Sequence, residues 1–568
     1  MSSVVIPARD PGARGSRGGI GARRVEGSVD EILGGVPGWW AQRAQAAGLS
    51  GKWLDVTQVI SGAVAPDHLP ATSIDLQGSA EQLGEQYVAA LPVQDRSDHG
   101  RHYTPMPLAA ELWEKAKRAL GWKRPQPLPG LVRDPACGAG ALLLPVLREH
   151  LGAAARTDPQ LALAALPNLI EGIDNDPNAV WLANVLLAAE MLPILAITPR
   201  ARRRPLPALA RVGDGLAEQQ ERALVSLMNP PYGRVKLATG ERQRFADYLY
   251  GHANLYGLFM AAGLESLEPA GVLAALVPTS FLSGRYFEAQ RAAFAAKAPL
   301  REVGFVVDRA GVFNGVLQET CLATFSPRRS RRVAINTVNG TIIEVARVAT
   351  PKSSGPWVLP RRADDALAAA AAIRMPMTLA TAGWKASTGP LVWNRRKADI
   401  TADHPGDGAA PILWAADIDG GVIHRDRVRD SQRYLKLRGT DWAVMTLDEP
   451  AVLVQRTTAP EQSRRLVPAE LTKRILDEWG GAVVVENHVN VLRPTTDSPA
   501  ISYATLTRVL ATQTLDRVMR SLSGSVAVSA YELAAIPLPS VDVLRTWDEL
   551  TGDALEQAVK DAYRPVSV

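Results

Sequence analysis

The stretch Asn229-Pro230-Pro231-Tyr232 carries the residue types in this chain that best suit chemistry on a planar ligand. It follows an apolar run, so a buried strand is predicted to end in an amide, two prolines and an aromatic ring. The Asn229 side chain and the Pro230 carbonyl are two hydrogen-bond acceptors, and Pro231 keeps the backbone extended. Tyr232 offers a flat face for stacking. This set suits a group with an exocyclic NH2, such as adenine, cytosine or a carboxamide, although a plain strand and proline turn would look the same.

A glycine turn upstream of this motif could bring a ligand close to the backbone. A short strand is predicted to end at Asp134, followed by a turn with Ala136, Gly138 and Gly140 and a helix over 141–151. Small residues at such a turn let a ligand approach the main chain beside a helix N-terminus. The spacing is not the dinucleotide-binding fingerprint, because no third glycine follows Gly140 at the required position.

Two further predicted strands end in carboxylates. The run 168–174 predicts a second strand that ends at Asp174, and the run 211–214 brings Asp214 to the end of a third. An acid at the tip of the second strand is where a ribose diol is held in nucleotide-binding sheets. Each acid alone is more often a helix N-cap or a loop residue. Four strands in this order are predicted to end in residues that can bind a ligand. Helix N-capping alone does not readily explain all four.

Together these motifs resemble the S-adenosylmethionine-dependent DNA adenine-N6 methyltransferases, over about residues 101–325. The segment 101–105 is similar to the leading cofactor motif of that family, 134–140 to its cofactor loop, and 229–232 to its catalytic motif. The order of the motifs, with a large C-terminal region last, is that of the γ class.

The resemblance implies a role for each matched residue. The residues implied to bind S-adenosyl-L-methionine are Tyr103, Thr104, Asp134, Ala136, Gly138, Asp174 and Asp214. Thr104 would contact the methionine portion, Asp174 the ribose hydroxyls, and Asp214 the amino group of the cofactor's adenine. The implied catalytic residues are Asn229, Pro230, Pro231 and Tyr232. Phe313 falls where the family often places an aromatic side chain against the target base.

The implied reaction is methyl transfer to N6 of an adenine flipped out of duplex DNA. That nitrogen is a poor nucleophile because ring conjugation delocalises its lone pair, and two acceptors aimed at its hydrogens can localise the pair. The catalysis is positioning and electrostatics, without a covalent intermediate. Flipping costs a few kcal/mol, which stacking on Tyr232 would partly offset. Cytosine-C5 methylation would need a cysteine nucleophile, and none lies in 229–232.

The composition is that of a globular protein with local basic clusters. Of the 568 residues, 46% are hydrophobic and 21% are charged, and the formal net charge is only +5. An anion-binding face must therefore come from clusters such as 199–205 and 327–332, which could contact phosphates or could be solvated loops. Cys137 and Cys321 give no disulfide framework, and the histidines lack ligand spacing, so we expect no metal and a reducing cytoplasm. No membrane segment or signal-peptide core is expected.

The chain is predicted to be an α/β protein with five parts. They are a disordered tail at 1–27, an N-terminal helical segment at 28–98, a Rossmann-like catalytic domain with a mainly parallel sheet at 99–350, a linker at 351–382 and a mixed α/β target-recognition domain at 383–568. In the last part, the runs 391–397, 454–458 and 483–491 are rich in the residue types that read bases or grip phosphates. An ordinary β-rich lobe with a polar surface is the alternative. A single helix is expected over 503–522.

The leading functional hypothesis is site-specific adenine-N6 methylation of double-stranded DNA, as the modification partner of a restriction–modification or phage-defence system. We expect any companion restriction endonuclease to be a separate chain. A nuclease on this chain is the alternative, and no convincing cluster of carboxylates and lysine in the N-terminal segment supports it. One alternative is methylation of an RNA base or of a protein glutamine by an enzyme that shares the motif. Another is a DNA-binding module with a decayed site, against which the intact Asp174, Asp214 and Asn229 speak.

Overall fold

The computed structural model describes residues 27–66, 69, 74–92, 103–154, 158–307, 319–328, 330–458, 462–523, 525 and 527–564. Within them the chain builds an N-terminal helical segment, a nine-stranded sheet with flanking helices, and a C-terminal lobe with two larger sheets. The predicted tail lies outside the described residues except for Gly27, and so does the candidate base contact Phe313.

The central sheet is mixed, with one parallel half. Its strands are β1 Val132–Asp134, β2 Ile170–Asp174, β3 Ala210–Val212, β4 Ala223–Met228, β5 Leu267–Pro278, β6 Leu300–Val306, β7 Thr320–Phe325, β8 Arg332–Asn339 and β9 Thr341–Ala349. Their spatial order is β9-β8-β6-β7-β5-β4-β1-β2-β3. Strands β3, β2, β1, β4 and β5 pair in parallel. Strand β7 runs antiparallel between β5 and β6, β8 is parallel to β6, and β9 closes the sheet antiparallel to β8.

Helices cover both faces of this sheet, which explains why β4 and the second half of β5 are nearly continuous apolar runs. The main helices of this half are α1 Val29–Ala46, α2 Ala80–Ala90, α3 Met106–Leu120, α4 Leu143–Ala154, α5 Pro159–Ala165, α6 Pro177–Ile197, α7 Leu255–Glu265 and α8 Glu288–Lys297. Shorter α-helices span Val56–Val59, Thr239–Arg244 and Ser280–Ser283. Strand β4 is buried at every position, as expected of a parallel strand with layers on both sides.

Helix α6 is the most apolar element of the chain. By length and composition it could cross a membrane, with a mean hydropathy of 2.0 in its most apolar window, but 72% of that window is buried within the fold. A core helix of a soluble protein passes the same test. The helix packs against α1, α2 and α4, and the side chains between them form one continuous core. The N-terminal helices therefore rest directly on the sheet domain.

The C-terminal lobe contains a four-stranded and a five-stranded sheet. Its strands are β10 Trp384–Thr388, β11 Ile400–Thr401, β12 Ala409–Leu413, β13 Tyr434–Lys436, β14 Thr446–Leu447, β15 Ala451–Gln455, β16 Pro468–Leu471, β17 Val483–Val485 and β18 Val489–Pro494. The two orders are β10-β18-β15-β16 and β11-β13-β12-β17-β14. Short two-stranded pairings elsewhere join Ile60–Ser61 to Leu206–Pro207, Arg234–Val235 to Ala253–Asn254, Met377–Thr378 to Pro537–Leu538 and Ile418–Asp419 to Val422–Ile423.

Helices complete the lobe, and one of them differs from the sequence prediction. They are α9 Ala366–Ala372, α10 Asp441–Met445, α11 Lys473–Glu478, α12 Tyr503–Leu510, α13 Gln513–Leu522, α14 Ala530–Ala534, α15 Val541–Arg545 and α16 Gly552–Ala562. The expected single helix over 503–522 is wrong. The chain breaks at Thr512, whose backbone is extended and whose hydroxyl accepts a hydrogen bond from the Leu515 amide. A threonine that caps a new helix in this way ends the preceding one.

The predicted linker also contributes to the core of the C-terminal lobe. Helix α9 packs on α13, and the Leu359 amide donates a hydrogen bond of 2.8 Å to the Ser521 carbonyl. Val358 and Leu379 are buried in the same apolar cluster as those helices. The segment 351–382 therefore connects the two halves as packed structure.

Candidate active site

The parallel strands bring the predicted site residues to one edge of the sheet. Asp134 is the last residue of β1, Asp174 is the last of β2, and Asn229 directly follows β4. Asp214 lies two residues beyond β3. Because these strands are parallel neighbours, their carboxyl ends meet at the same edge, which is where open α/β sheets bind ligands. We call this the carboxyl edge.

The glycine turn after β1 is held against the end of β2. The Gly138 amide donates to one carboxylate oxygen of Asp174 at 2.9 Å, and the Asp176 amide donates to the other at 3.0 Å. Gly138 and Gly140 have φ values of 49° and 82°, a backbone region that favours glycine. A Cβ atom on Gly138 would meet no atom of the described residues within 4 Å. The turn therefore faces open space in which a ligand can approach the main chain.

Asp134 braces this turn from inside. Its side chain is 1% exposed, and one carboxyl oxygen accepts a hydrogen bond of 3.1 Å from the Ala136 amide. Burial, with a smaller contribution from the nearby Asp174 carboxylate, raises the pKa of Asp134 to about 8. The group is therefore largely neutral at pH 7. In this structure the Asp134 carboxyl shapes the turn, and the backbone of the turn is what a ligand would meet.

The loop after β3 fits closely against the same turn. Asp214 is exposed, and one of its oxygens accepts a hydrogen bond of 2.9 Å from the Leu216 amide. The next residue, Gly215, lies so close that a Cβ atom there would overlap the Pro135 carbonyl oxygen. Only glycine allows this approach. The contact fixes the loop that carries Asp214 relative to the turn that follows β1.

The candidate catalytic motif is joined to the leading motif by a side-chain hydrogen bond. The Asn229 amide nitrogen donates to the Thr104 hydroxyl at 2.9 Å, and Thr104 is 4% exposed. The Tyr232 hydroxyl lies 3.3 Å from the Asn229 amide oxygen and 3.3 Å from the Leu276 carbonyl oxygen on β5, and both oxygens can accept its proton. These contacts orient the Asn229 amide from both ends.

Aromatic rings that sequence reasoning missed support this motif. The Tyr232 ring meets Tyr256 edge-on, with 5.9 Å between centroids and 77° between planes. Tyr256 in turn stacks on Phe287 at 5.0 Å and shares a hydrogen bond of 2.8 Å with the Ser280 hydroxyl. Burial raises the pKa of the Tyr232 hydroxyl well above its ordinary value, so it stays a hydrogen-bond donor. Tyr256 lies on α7 and was not among the predicted site residues.

The N-terminal segment forms one wall of the carboxyl edge. A Cβ atom on Gly84 of α2 would lie 3.0 Å from the Tyr103 ring, and the Tyr87 hydroxyl donates to Asp176 at 3.3 Å. The Tyr103 hydroxyl is buried and has no hydrogen-bond partner among the residues that the structure describes. Burial, with nearby carboxylates, raises its pKa. A Cβ atom on Gly84 would also lie 3.6 Å from the Ala139 side chain, so α2 borders the glycine turn at which a polar cofactor would bind.

Both basic clusters lie at the other edge, where the parallel strands begin. The cluster 199–205 precedes β3, and 327–332 follows the last residue of the antiparallel strand β7. Arg203 donates to the Thr198 and Ala196 carbonyls at 2.9 and 2.7 Å, where α6 ends. Arg328 donates to the Leu120 carbonyl at the end of α3 at 2.6 Å. These two arginines therefore cap helices, on the side of the sheet away from Asn229.

Several polar residues of the predicted recognition segments are also committed to internal contacts. Asn490 is fully buried and donates to the Val528 carbonyl at 2.9 Å. Arg396 pairs with Asp399 at 2.7 Å and Asp441 at 2.8 Å. Base reading by the C-terminal lobe thus stays a prediction. Within the described part of the chain, no group of three or more His, Cys, Asp or Glu side chains is arranged to hold a metal ion.

Comparisons with known proteins identify a matching family model and two similar methyltransferases. Residues 225–313, from β4 onward, match the family model described as Eco57I restriction-modification methylase. The chain is 24% identical over 335 residues to the Type II methyltransferase M.PstI of Providencia stuartii and 22% identical over 342 residues to M.BsuBI of Bacillus subtilis. This chain resembles Type II methyltransferases. The alignments cover 56% and 58% of this chain, and 65% and 68% of those two proteins.

A solved structure of a restriction–modification enzyme shares the fold. The Type IIL restriction-modification enzyme MmeI in complex with DNA matches 87% of this chain and 78% of its own, with a TM-score of 0.51 and 12% identity. At that identity the likeness concerns the fold alone. The match to M.PstI spans 65% of that protein, so about a third of it has no counterpart in the alignment.

Proposed function

We propose that this protein is a site-specific DNA methyltransferase of the γ class, which transfers a methyl group from S-adenosyl-L-methionine to N6 of an adenine flipped out of duplex DNA. The observation that carries the proposal is the hydrogen bond between Thr104 and Asn229. It joins the leading cofactor motif to the candidate catalytic motif at the edge where Asp174 and Gly138 meet. Similarity to Type II methyltransferases supports the same reaction class.

The carboxyl edge has suitable groups for each part of the cofactor. Tyr103 and Thr104 would hold its methionine end, the turn of Asp134, Ala136 and Gly138 would pass beside it, and Asp174 and Asp214 would bind its ribose and adenine. When bound, S-adenosyl-L-methionine supplies an electrophilic methyl group on a positively charged sulfur. The protein then has to place a weak nucleophile in line with that group and exclude competing water.

The chain's own residues would orient the target amine. The Asn229 side-chain oxygen and the Pro230 carbonyl would accept its two hydrogens, which localises the nitrogen lone pair. Thr104 and Tyr232 hold the Asn229 amide in place, so little reorganisation is needed when the base arrives. Pro231 keeps the motif extended, and Tyr232 would stack on the flipped base. Phe313, outside the described residues, is the further aromatic contact that we propose for the target base.

The biological setting that we propose is modification within a restriction–modification or phage-defence system in the cytoplasm. A companion restriction endonuclease would then cut DNA that lacks the mark. The C-terminal lobe, which differs in architecture from the sheet domain, would select the target sequence. Digestion of unmethylated plasmid by the purified protein alone would show instead that nuclease and methyltransferase share this chain.

The test is incubation of the purified protein with labelled S-adenosyl-L-methionine and, separately, duplex DNA, RNA and protein. We expect label in DNA only, recovered as N6-methyladenine after digestion to nucleosides. The Asn229→Ala variant should lose about 10²–10³-fold in turnover, because one of the two acceptors is gone, while it still binds DNA. Label only in protein or RNA would overturn the proposal, and unchanged turnover would refute the role of Asn229.

A further inference from the structure

Exposed aromatic and basic side chains lie directly beside the candidate catalytic motif. We call Arg234, Tyr250, His252, Arg285 and Tyr286 the aromatic–arginine rim. Tyr250 is 39% exposed and Tyr286 is 43% exposed, so part of each ring is accessible to a partner. The other three residues are exposed as well. None of the five was among the sequence-predicted site residues.

The arginines of the rim stack on its tyrosines. The Arg285 guanidinium lies 5.2 Å from the centre of the Tyr250 ring and donates to the Tyr250 hydroxyl at 2.7 Å. The Arg234 guanidinium lies 5.6 Å from the centre of the Tyr286 ring, and the His252 ring lies 5.8 Å from the same ring. Stacking of this kind orders the long side chains and leaves their positive charge in place.

These two arginines differ from those arginines of the sheet domain that are paired with carboxylates. Arg133 pairs with Glu171 at 2.5 Å, and Arg148 pairs with both Glu190 and Glu81. By contrast, neither Arg234 nor Arg285 forms an ion pair with a carboxylate in the described part of the chain. Their charge is therefore available to an external anion.

The rim is fixed relative to the catalytic motif by backbone and ring contacts. Gly233 separates Tyr232 from Arg234, and its carbonyl accepts a hydrogen bond of 2.8 Å from the Leu255 amide. The strand Arg234–Val235 pairs with Ala253–Asn254. Tyr286 directly precedes Phe287, whose ring belongs to the stack that supports Tyr232. A ligand held at the rim would thus have a defined position beside the motif.

We propose that the aromatic–arginine rim grips the sugar–phosphate backbone of duplex DNA next to the target nucleotide. The inference rests on the proposed function. Exposed guanidinium groups bind phosphates, and flanking aromatic faces bind sugars or unstacked bases, whatever the sequence. A flipped nucleotide must be held through the phosphates on either side of it, since its own base has left the helix. The rim therefore contributes to DNA affinity and to base flipping. Other parts of the protein select the target sequence.

The experiment compares the full-length protein with an Arg234→Ala/Arg285→Ala variant in DNA binding at several salt concentrations. We expect the dissociation constant to rise about tenfold or more, equally for target and non-target duplexes, as loss of phosphate contacts predicts. The slope of log affinity against log salt should fall by about 2, since each phosphate contact contributes about 0.9. Cofactor affinity, measured by calorimetry, should not change.

The matched control removes the same charge from the other edge of the sheet. Arg200 and Arg202 are both exposed, so an Arg200→Ala/Arg202→Ala variant should keep the wild-type affinity and salt slope. An Arg234→Lys/Arg285→Lys variant should retain most of the salt slope. Tyr286→Ser should weaken binding without a change in slope, because it removes stacking and no charge.

Three outcomes separate the rim from the proposed function. If the wild-type protein methylates DNA and the rim variant binds DNA with unchanged affinity and slope, the rim proposal is wrong and the function stands. An equal loss in the Arg200→Ala/Arg202→Ala control also overturns the rim proposal, because the effect is then one of overall charge. If the wild-type protein labels only RNA or protein, the proposed function itself fails.

Discussion

The carboxyl edge and the opposite edge of the central sheet contain similar polar residue types and use them differently. At the carboxyl edge, Gly138 opens onto free space and the rim arginines carry no carboxylate partner in the described chain. At the other edge, Arg203 and Arg328 donate hydrogen bonds to backbone carbonyls at the ends of α6 and α3. Density of charge in a sequence therefore says little about binding. What decides is whether the local fold already satisfies the charged group and whether that group lies beside the catalytic motif.

The largest effect that we expect comes from the close contact between the two loops of the carboxyl edge. In Gly215→Ala the new methyl group would overlap the Pro135 carbonyl oxygen, which is backbone and cannot move aside cheaply. The free energy of unfolding should fall by about 3 kcal/mol, as in overpacked cores, and cofactor affinity should fall with it. Denaturant unfolding and calorimetry measure the two quantities.

Gly152→Ala on α4 is the matched control for this glycine. A Cβ atom there would meet no atom of the described chain within 4 Å, so a helical alanine should raise stability by about 0.5–1 kcal/mol. If Gly215→Ala and Gly152→Ala changed the free energy of unfolding equally, the contrast between a crowded loop contact and an open helix surface would be wrong.

The second effect concerns the hydrogen bond that joins the two motifs. Thr104→Val keeps the shape of the side chain but removes the acceptor of the Asn229 amide. Turnover should fall about 10–100-fold, which corresponds to about 1.4–2.7 kcal/mol, a typical cost of a buried group left without its partner. Thr104→Ser should restore most of the rate. If the valine variant lost only cofactor affinity, with turnover intact, Thr104 would act on the cofactor alone.

The third effect is a dependence of stability on pH. The pKa of Asp134 is raised from 3.8 to about 8 in the folded protein, so its contribution to stability is complete below about pH 4. It is lost as pH rises towards 8, because only the unfolded chain ionises. Asp134→Asn should abolish this slope between pH 4 and 8. Parallel unfolding curves for the two proteins across that window would contradict the assignment.

The smallest effect tests the opposite edge. Arg203→Ala removes two hydrogen bonds to carbonyls at the end of α6. Stability should fall by about 1 kcal/mol, which a thermal melt detects, while DNA affinity stays at the wild-type value. A variant with an unchanged melting temperature and weaker DNA binding would mean that this edge, too, contacts phosphates.

The strand ends could be predicted from the sequence because each signal is local. An apolar run that stops at Asp174 or Asn229 identifies a strand and the residue at its tip without knowledge of the rest. The bond from Thr104 to Asn229 could not be predicted, because 125 residues separate its partners. The same holds for the ring contacts of Tyr256 and Phe287, which depend on how α7 and the segment before α8 pack.

The structure differs from the sequence predictions at positions whose surroundings are set by tertiary structure, which local residue types do not reveal. Asn490 has a residue type that reads bases, but residue type does not reveal that its amide is buried against the Val528 carbonyl. Thr512 was compatible with a continuous helix, and only its extended backbone shows that the hydroxyl starts a new one. The antiparallel strand β7 lacked a local signal, since strand direction is set by the connections around it.

The contact of Gly84 with the Tyr103 ring, together with the bond from Tyr87 to Asp176, has a practical consequence for engineering. A shortened catalytic domain that begins at the leading cofactor motif, residues 101–105, would lack α2. That helix forms part of the wall of the carboxyl edge. Such a fragment should express as an aggregating or cofactor-deficient protein, whereas one that begins before Val29, and so keeps both α1 and α2, should retain the pocket. Domain grafts aimed at new specificities therefore have to leave α2 in place.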